Sequence, residues 1–458
     1  MNRFLEELAS RFWNRFQQWR RRPRSPEGGT DLGVHVADGE ITRNRVRLSI
    51  VRRTMHVAIL GKTGSGKSSL IRHLIRQDVE AGRGFVLFDV HGAITPYALR
   101  VIALQEWQSG EHLHDRVILI APADRESSVG FNPLELPEPD FVRIAEFTEI
   151  LRQRWGLDGF GARTEELLRN SLYVLSANGL TLLELAPLLT NAAFRVKCLK
   201  NVPNAEVRSY FETRYGQASP AMQAQMREPI LNKTSAFTAD PRFRHLVGQA
   251  KSTFSLGEAM DEAQFVLVDL PKGVLGEHAL TLASLLFTVL RNATFARRKR
   301  GLFTIYADEV HTLISRSADL ETMLSEARKF SVSVVTASQF LDQYPQTMRA
   351  AIQSVGTHVF FQLSTNDAPQ IAQALDGGKS LAERLKNLPQ RHFVVKSGAD
   401  HWREAAVPEV EDPKSNPADL VRRARQAHAR PRAEIEHEIA VRHDELRNKT
   451  DEAIHDWD

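Results

Sequence analysis

The apolar positions of this chain fall into two kinds of run. Short, nearly unbroken stretches occur at 56–60, 85–90 and 117–120, and again at 265–270, 303–308, 332–337, 359–363 and 393–396. Runs of this length read as strands buried on both faces. Elsewhere the apolar positions recur every three or four residues. Leu70, Ile71, Leu74, Ile75 and Val79 mark a helix that Gly82 and Gly84 stop, and a long helix is expected near 276–297. Strand, helix and strand in this order form a βαβ unit, so the sheet should be mostly parallel and covered by helices. Residues 33–55 alternate in short β-like pieces, and loop residues run from the third strand through Pro139. From about 140 to 255 the pattern is helical, at 141–155, 164–177, 181–189, 206–215 and 222–237. The predicted class is α/β with a mostly parallel sheet, interrupted by an all-helical insertion.

The ends differ from the middle. Phe4, Leu8, Phe12, Phe16 and Trp19 line one face of a predicted helix. Arg11, Arg15, Arg20, Arg21, Arg22 and Arg24 interleave or follow with no acid between Arg11 and Arg24, and Pro23, Pro26 and Gly28-Gly29 end the helix in a linker. Such a helix lies on a membrane surface, docks on a partner protein, or packs on its own protein with a solvated basic end; the pattern leaves these open. Beyond about 410 the chain is rich in charge, with proline at 408, 413, 417 and 431. The expected division is therefore 1–32, a basic amphipathic helix and linker; 33–138, the first part of the α/β core; 139–257, the helical insertion; 258–410, the second part of the core; and 411–458, a charged helical tail.

Composition narrows the class. A chain of 458 residues suggests two or three domains, and 42% apolar with 25% charged residues is that of a soluble globular protein. The net charge of +4 neither requires nor excludes a nucleic-acid partner. The single cysteine, Cys198, cannot form an intramolecular disulfide, which fits a reducing compartment. No unbroken apolar run predicts a transmembrane helix, and the N-terminus lacks the features of a signal peptide. The expected location is cytoplasmic, with a peripheral place at the inner face of the cell membrane if the first helix lies on lipid.

The chemistry begins at 61–68. Gly61-Lys62-Thr63-Gly64-Ser65-Gly66-Lys67-Ser68 fits G-x-x-x-x-G-K-[ST], preceded by a strand and followed by an amphipathic helix. Its glycines let backbone N–H groups turn toward the phosphates of ATP, and the helix N-terminus adds its positive end. Lys67 is expected at the β- and γ-phosphates and Ser68 on Mg²⁺. A second strand, 303–308, ends in Asp308-Glu309. Placed beside the P-loop strand, Asp308 would stand near Mg²⁺ at the sheet's carboxyl edge, and Glu309 would polarise the attacking water as general base. Two adjacent acids point to a motor-type ATPase. Gln339, where the strand 332–337 exits, is expected to report the state of the γ-phosphate, and Asp89, at the end of the strand after the P-loop helix, to stand behind the site as a supporting acid. His91 and His311 lack further ligands at a spacing diagnostic of a metal site.

These residues recur together in order: 61–69 including Ser69, Asp89-Val90-His91-Gly92, Asn132-Pro133-Leu134, the strand 306–309, Ser325-Glu326-Ala327-Arg328-Lys329-Phe330, Gln339 and Val355-Gly356-Thr357. The set resembles the HerA–FtsK superfamily and, within it, the conjugative coupling proteins of type IV secretion, the TraG/TraD type, over about 45–410. The resemblance implies a RecA-like P-loop core with a helical insertion, and a homo-hexameric ring that pumps DNA through its channel. It also implies ATP sites at subunit boundaries, each completed by a neighbour's arginine, matched here by Arg328. Two other functions compete: a secretion-type ring ATPase acting on protein, and a nucleotide-dependent switch or scaffold with little turnover. Glu309 and Gln339 argue against the switch, which has no need of a tuned catalytic water. No recognised DNA-binding module separates the first two.

Overall fold

The computed structural model describes residues 29–135, 141–314 and 317–455; the predicted amphipathic helix before residue 29 lies outside them. The strands are β1 (Gly29–Ala37), β2 (Glu40–Ser49), β3 (Val57–Leu60), β4 (Phe85–Asp89), β5 (Val117–Ile120), β6 (Ser127–Ser128), β7 (Phe265–Asp269), β8 (Phe303–Asp308), β9 (Val332–Ser338), β10 (Thr357–Phe360), β11 (His392–Ser397), β12 (Arg403–Ala406) and β13 (Arg430–Pro431). Eleven of them form one sheet in the order β2-β1-β12-β11-β10-β3-β9-β8-β4-β7-β5. From β10 to β5 every neighbour is parallel. From β10 to β2 every neighbour is antiparallel.

The parallel strands are the unbroken apolar runs of the sequence. All residues of β3, β4, β8 and β9 are buried, as strands covered by helices on both faces must be. The helix Lys67–Glu80 buries Leu70, Ile71, Leu74, Ile75 and Val79 against the sheet. The helix His278–Ala296 is apolar enough to cross a membrane by length and composition, an exception to the sequence expectation. It is 72% buried and packs inside the protein as a core helix.

One placement differs from expectation. The acid strand β8 does not lie beside β3; β9 stands between them, with Leu60 opposite Ser338 and Asp308 opposite Ala337. Each of these strands is buried on both faces, so its apolar pattern is the same whichever neighbour it takes. Pairing order is set by the non-local packing of the crossover helices.

Between 141 and 264 the described residues form helices and turns and no strand. They include Phe141–Arg154, Ala162–Ala177 and Pro220–Thr238, and three short helices that the periodicity did not reveal: Ala192–Leu199, Pro241–Val247 and Leu256–Asp261. The charged C-terminal segment packs onto both parts of the molecule. The helix Ala418–His428 buries Leu420 and Ala424, and β13 pairs with β6. The helix Arg432–His455 then sets Ile435 and Ile439 against Leu183, while Arg442 Nε meets the buried Glu184 Oε1 at 2.9 Å.

A buried polar cluster lies between the sheet and the helix Lys67–Glu80. Arg53, 1% exposed, donates to Asp78 Oδ1 at 2.6 Å and Oδ2 at 2.5 Å, to Thr30 Oγ1 at 2.9 Å, Thr304 Oγ1 at 3.0 Å and the Tyr306 hydroxyl at 2.7 Å. Tyr306 in turn donates to Asp78 Oδ2 at 2.6 Å. Burial alone would raise the Asp78 pKa, but the Arg53 guanidinium, with help from Arg83 and Tyr306, holds it below the usual carboxylate range. Removing one partner strands the other charge. Asp78→Ala should therefore cost about 3–5 kcal/mol in chemical denaturation, and Asp78→Leu combined with Arg53→Met should recover most of that loss. Equal losses in the single and double variants would show that the pair's charge is not what matters.

Candidate active site

β3 carries the chain to the carboxyl edge, where the loop stays tied to both neighbouring strands. Gly61 N–H donates to Ser338 O at 3.2 Å and Lys62 N–H to Gln362 O at 2.8 Å. A Cβ on Gly61 would stand 2.5 Å from Phe361 Cβ. Gly66 has φ +122°, and a Cβ there would stand 2.9 Å from Arg391 Cα, so both positions require glycine. Ser65 Oγ closes the turn on Lys62 O at 2.7 Å. No side chain caps the helix Lys67–Glu80, which leaves its first N–H groups and its positive end facing the loop. This is the geometry of an anion site. The buried Lys67 Nζ donates to Gly61 O at 2.6 Å and Lys62 O at 3.1 Å. Burial lowers its pKa, against the opposing pull of Glu309 and Asp308. Ser68 is exposed at the loop's mouth, with Ser69 next to it half-buried.

The acid pair ends β8 two strands away. Asp308 and Glu309 are each 6% exposed. Burial, then the neighbouring Glu309, pushes the Asp308 carboxyl up to about 6, while His91 and Lys67 pull it the other way. Glu309 adopts φ +51°, a left-handed conformation that turns the chain sharply after the strand. Gln339, where β9 ends, bridges the gap: its Nε2 donates to Glu309 Oε1 at 2.9 Å, and its Oε1 accepts from Thr63 Oγ1 at 2.9 Å. A chain of hydrogen bonds thus runs from the P-loop to the acid pair through the intervening strand. Among the described residues no cluster of three or more His, Cys, Asp or Glu could hold a metal by itself. A cation here would take oxygen ligands from Ser68 and Asp308 and the rest from phosphate and water.

Two further residues named from the sequence have other partners, although Asp89 is near enough to Asp308 to raise its pKa. Asp89 is fully buried, and its carboxylate holds a turn: Oδ1 accepts from the N–H groups of His91 and Ala93 at 3.3 Å each, and Oδ2 from Ile94 and Thr95 at 2.8 Å each. It supplies the acceptors that the start of the helix Thr95–Ser109 otherwise lacks, and no oxygen remains to take a proton from water. Arg328 is exposed in the turn Ala327–Phe330 that leads into β9, at the amino edge of the sheet. The seven residues of β9 separate it from the P-loop of its own chain, roughly 20 Å of strand, beyond the reach of an arginine side chain.

Three further groups lie near the site, of which the sequence reading named only His311, and without a role. Gln390 Nε2 reaches Gly64 O at 3.2 Å and Arg391 N–H donates to Ser65 O at 2.8 Å, so the approach to β11 buttresses the P-loop. Asp269 lies beside Asp89 in register; burial and Asp89 push its pKa up to about 6. His311 and Tyr344 pack edge to face, 5.8 Å between ring centroids, next to Glu309. Only a strand-ending acid gave any signal, at Asp269; the other contacts depend on pairing between distant segments.

Residues 32–166 match the family model described as "Helicase HerA, central domain". No curated protein matches the chain. Among solved structures, the bacterial conjugative coupling protein TrwBdeltaN70 aligns with a TM-score of 0.60 at 16% identity, over 84% of this chain and 91% of that one. The plasmid coupling protein TrwB in complex with ADP and Mg²⁺ gives 0.59 at 17% identity, over 85% and 95%. VirB4 of Thermoanaerobacter pseudethanolicus gives 0.53 at 16%, over 84% and 98%. The HerA resemblance read in the sequence is borne out over residues 32–166, and the expected RecA-like P-loop fold is the one shared with TrwB and VirB4.

The geometry separates the roles of two acids. Asp89→Ala should lower stability by about 2 kcal/mol or more, because the N–H groups it satisfies are left without acceptors. Nucleotide turnover in the folded fraction should survive. Full stability with lost turnover would return Asp89 to the catalytic group.

Proposed function

We propose that the chain is a ring-forming, DNA-translocating ATPase that works on ATP and Mg²⁺, in the manner of the conjugative coupling proteins it resembles. The observation that carries this reading is the Thr63–Gln339–Glu309 chain, which joins a phosphate-binding loop to an acid poised at the same edge. The HerA match over the first part of the core and the shared fold with TrwB, solved with ADP and Mg²⁺, support it.

The roles follow from position. The loop N–H groups and the open helix end bind the phosphates, and Lys67 leaves its two carbonyl partners to meet the β- and γ-oxygens. Ser68 and Asp308 would hold Mg²⁺, which would supply charge neutralisation for the transferred phosphoryl group. Glu309 accepts the proton of the attacking water. Gln339 touches both the loop and the base, so a change at the γ-phosphate alters how Glu309 is held. Arg328 serves the site of a neighbouring subunit, because its own is out of reach. A homo-hexamer is the assembly this reading expects, with nucleotide between subunits.

Glu309→Gln should keep ATP binding and lower turnover roughly a hundredfold or more, since the amide cannot accept the proton. A variant turning over within a few-fold of the parent would move the base elsewhere. Arg328→Ala should be nearly inactive alone, as an arginine supplied in trans is worth about 10³ or more. Mixed with Lys67→Ala subunits it should regain activity, because some boundaries then join an intact loop to an intact arginine. No recovery at any ratio would count against action across the boundary. DNA binding should be independent of sequence and fall linearly with salt on logarithmic axes, including after deletion of residues 1–30, which removes the basic N-terminal cluster. Loss of all DNA affinity with that deletion would favour a protein cargo.

A further inference from the structure

Glu309 is held at only one of its two oxygens. Oε1 takes the hydrogen bond from Gln339. Oε2 is buried and, among the described residues, has no hydrogen-bond partner. His311 Nδ1 stands 3.5 Å from it and is itself buried without a partner. Two orphaned polar atoms, one a donor in the appropriate tautomer and one an acceptor, face each other across a gap about 0.5 Å wider than a hydrogen bond. Leaving either atom buried and unpaired is costly, so closing that gap is favourable. The Tyr344 ring packs edge to face against the imidazole at 5.8 Å and limits where it can swing.

The turn that carries both residues is anchored from the helical insertion. Arg154, the last residue of the helix Phe141–Arg154, donates from Nη2 to Thr312 O at 2.7 Å and from Nε to Ser284 Oγ at 2.9 Å. Ser284 Oγ donates to Leu313 O at 2.5 Å. Thr312 closes the turn on Glu309 O through its N–H and its hydroxyl, both at 2.8 Å. A continuous path therefore runs from the helical insertion to the main-chain carbonyl of Glu309, through Arg154 and Thr312, with His311 on the same turn.

We propose that His311 and Arg154 are positioning residues for Glu309. His311 Nδ1–H fixes Oε2 so that the carboxylate presents one defined lone pair to the water, and Arg154 sets the turn on which His311 and Glu309 ride. The proposal rests on the reading of Glu309 as the general base. It gives the helical insertion a hold on the backbone turn that carries the catalytic carboxylate, so a movement of the helix Phe141–Arg154 changes turnover without touching the nucleotide. Neither residue belongs to the P-loop, so ATP binding should be independent of both.

The test compares two amides of different reach. Asparagine places its amide nitrogen where Nδ1 stands, whereas glutamine places it where Nε2 stands. His311→Asn should keep kcat within about threefold of the parent, and His311→Gln should lose roughly tenfold to a hundredfold, the scale of a misplaced catalytic group. KM and directly measured nucleotide affinity should stay unchanged in both. Arg154→Met should lower kcat similarly and add little when combined with His311→Gln, because the two act on one carboxylate. Equal activities of the Asn and Gln variants, or a fully multiplicative Arg154→Met effect in the double variant, would overturn the proposal and leave the base assignment standing. Near-parental turnover in Glu309→Gln would remove the base itself and the proposal with it.

Discussion

Parallel pairing constrains this structure more than any single contact. From β10 to β5 every strand runs the same way, so the loops that follow β3, β4, β7, β8 and β9 all open at one edge. The P-loop, the acid pair and Gln339 share that edge for this reason. The same constraint sends the turn before β9, with Arg328, to the opposite edge. A subunit built this way carries the candidate phosphate site on one edge and an exposed arginine on the other, which is the arrangement that the proposed ring requires.

The insertion of β9 between β3 and β8 gives the site its particular chemistry. With the acid strand two places from the P-loop strand, a residue on the middle strand must span the space, and Gln339 does so with one hydrogen bond to each side. Behind the sheet the Arg53–Asp78–Tyr306 cluster joins the far end of the P-loop helix to β8, the strand that carries the acids. The loop and the acid pair are thus referenced to each other twice, once by the bridge at the edge and once by the buried charges beneath.

What could be read in advance was local. The P-loop was legible because strand, glycine-rich turn and helix are contiguous, and each glycine answers to a backbone need visible in the pattern. The acid pair was legible because it ends an apolar strand. The position of β9 was not, since pairing between strands of equal burial depends on distant packing. The turn that Asp89 holds was not legible, because a strand-ending acid looks the same in sequence whatever its oxygens accept. Arg53 resembles a surface residue until Thr30, Thr304 and Tyr306 surround it. β12 escaped notice because Arg403-Glu404-Ala405-Ala406 carries little apolar signal; the C-terminal tail was expected to be helical, but its packing on the rest of the protein was not legible because its few buried positions are diluted by charge.

The central claim is that nucleotide chemistry at this edge is tied to a polymer in the ring's channel. The most direct measurement is the steady-state rate of ATP hydrolysis by the full chain with Mg²⁺, with and without single- and double-stranded DNA of unrelated sequences. The account predicts hydrolysis that DNA accelerates regardless of sequence. Hydrolysis indifferent to every DNA tested would contradict the claim that DNA is the cargo, and absence of hydrolysis under all conditions would contradict the assignment as an ATPase.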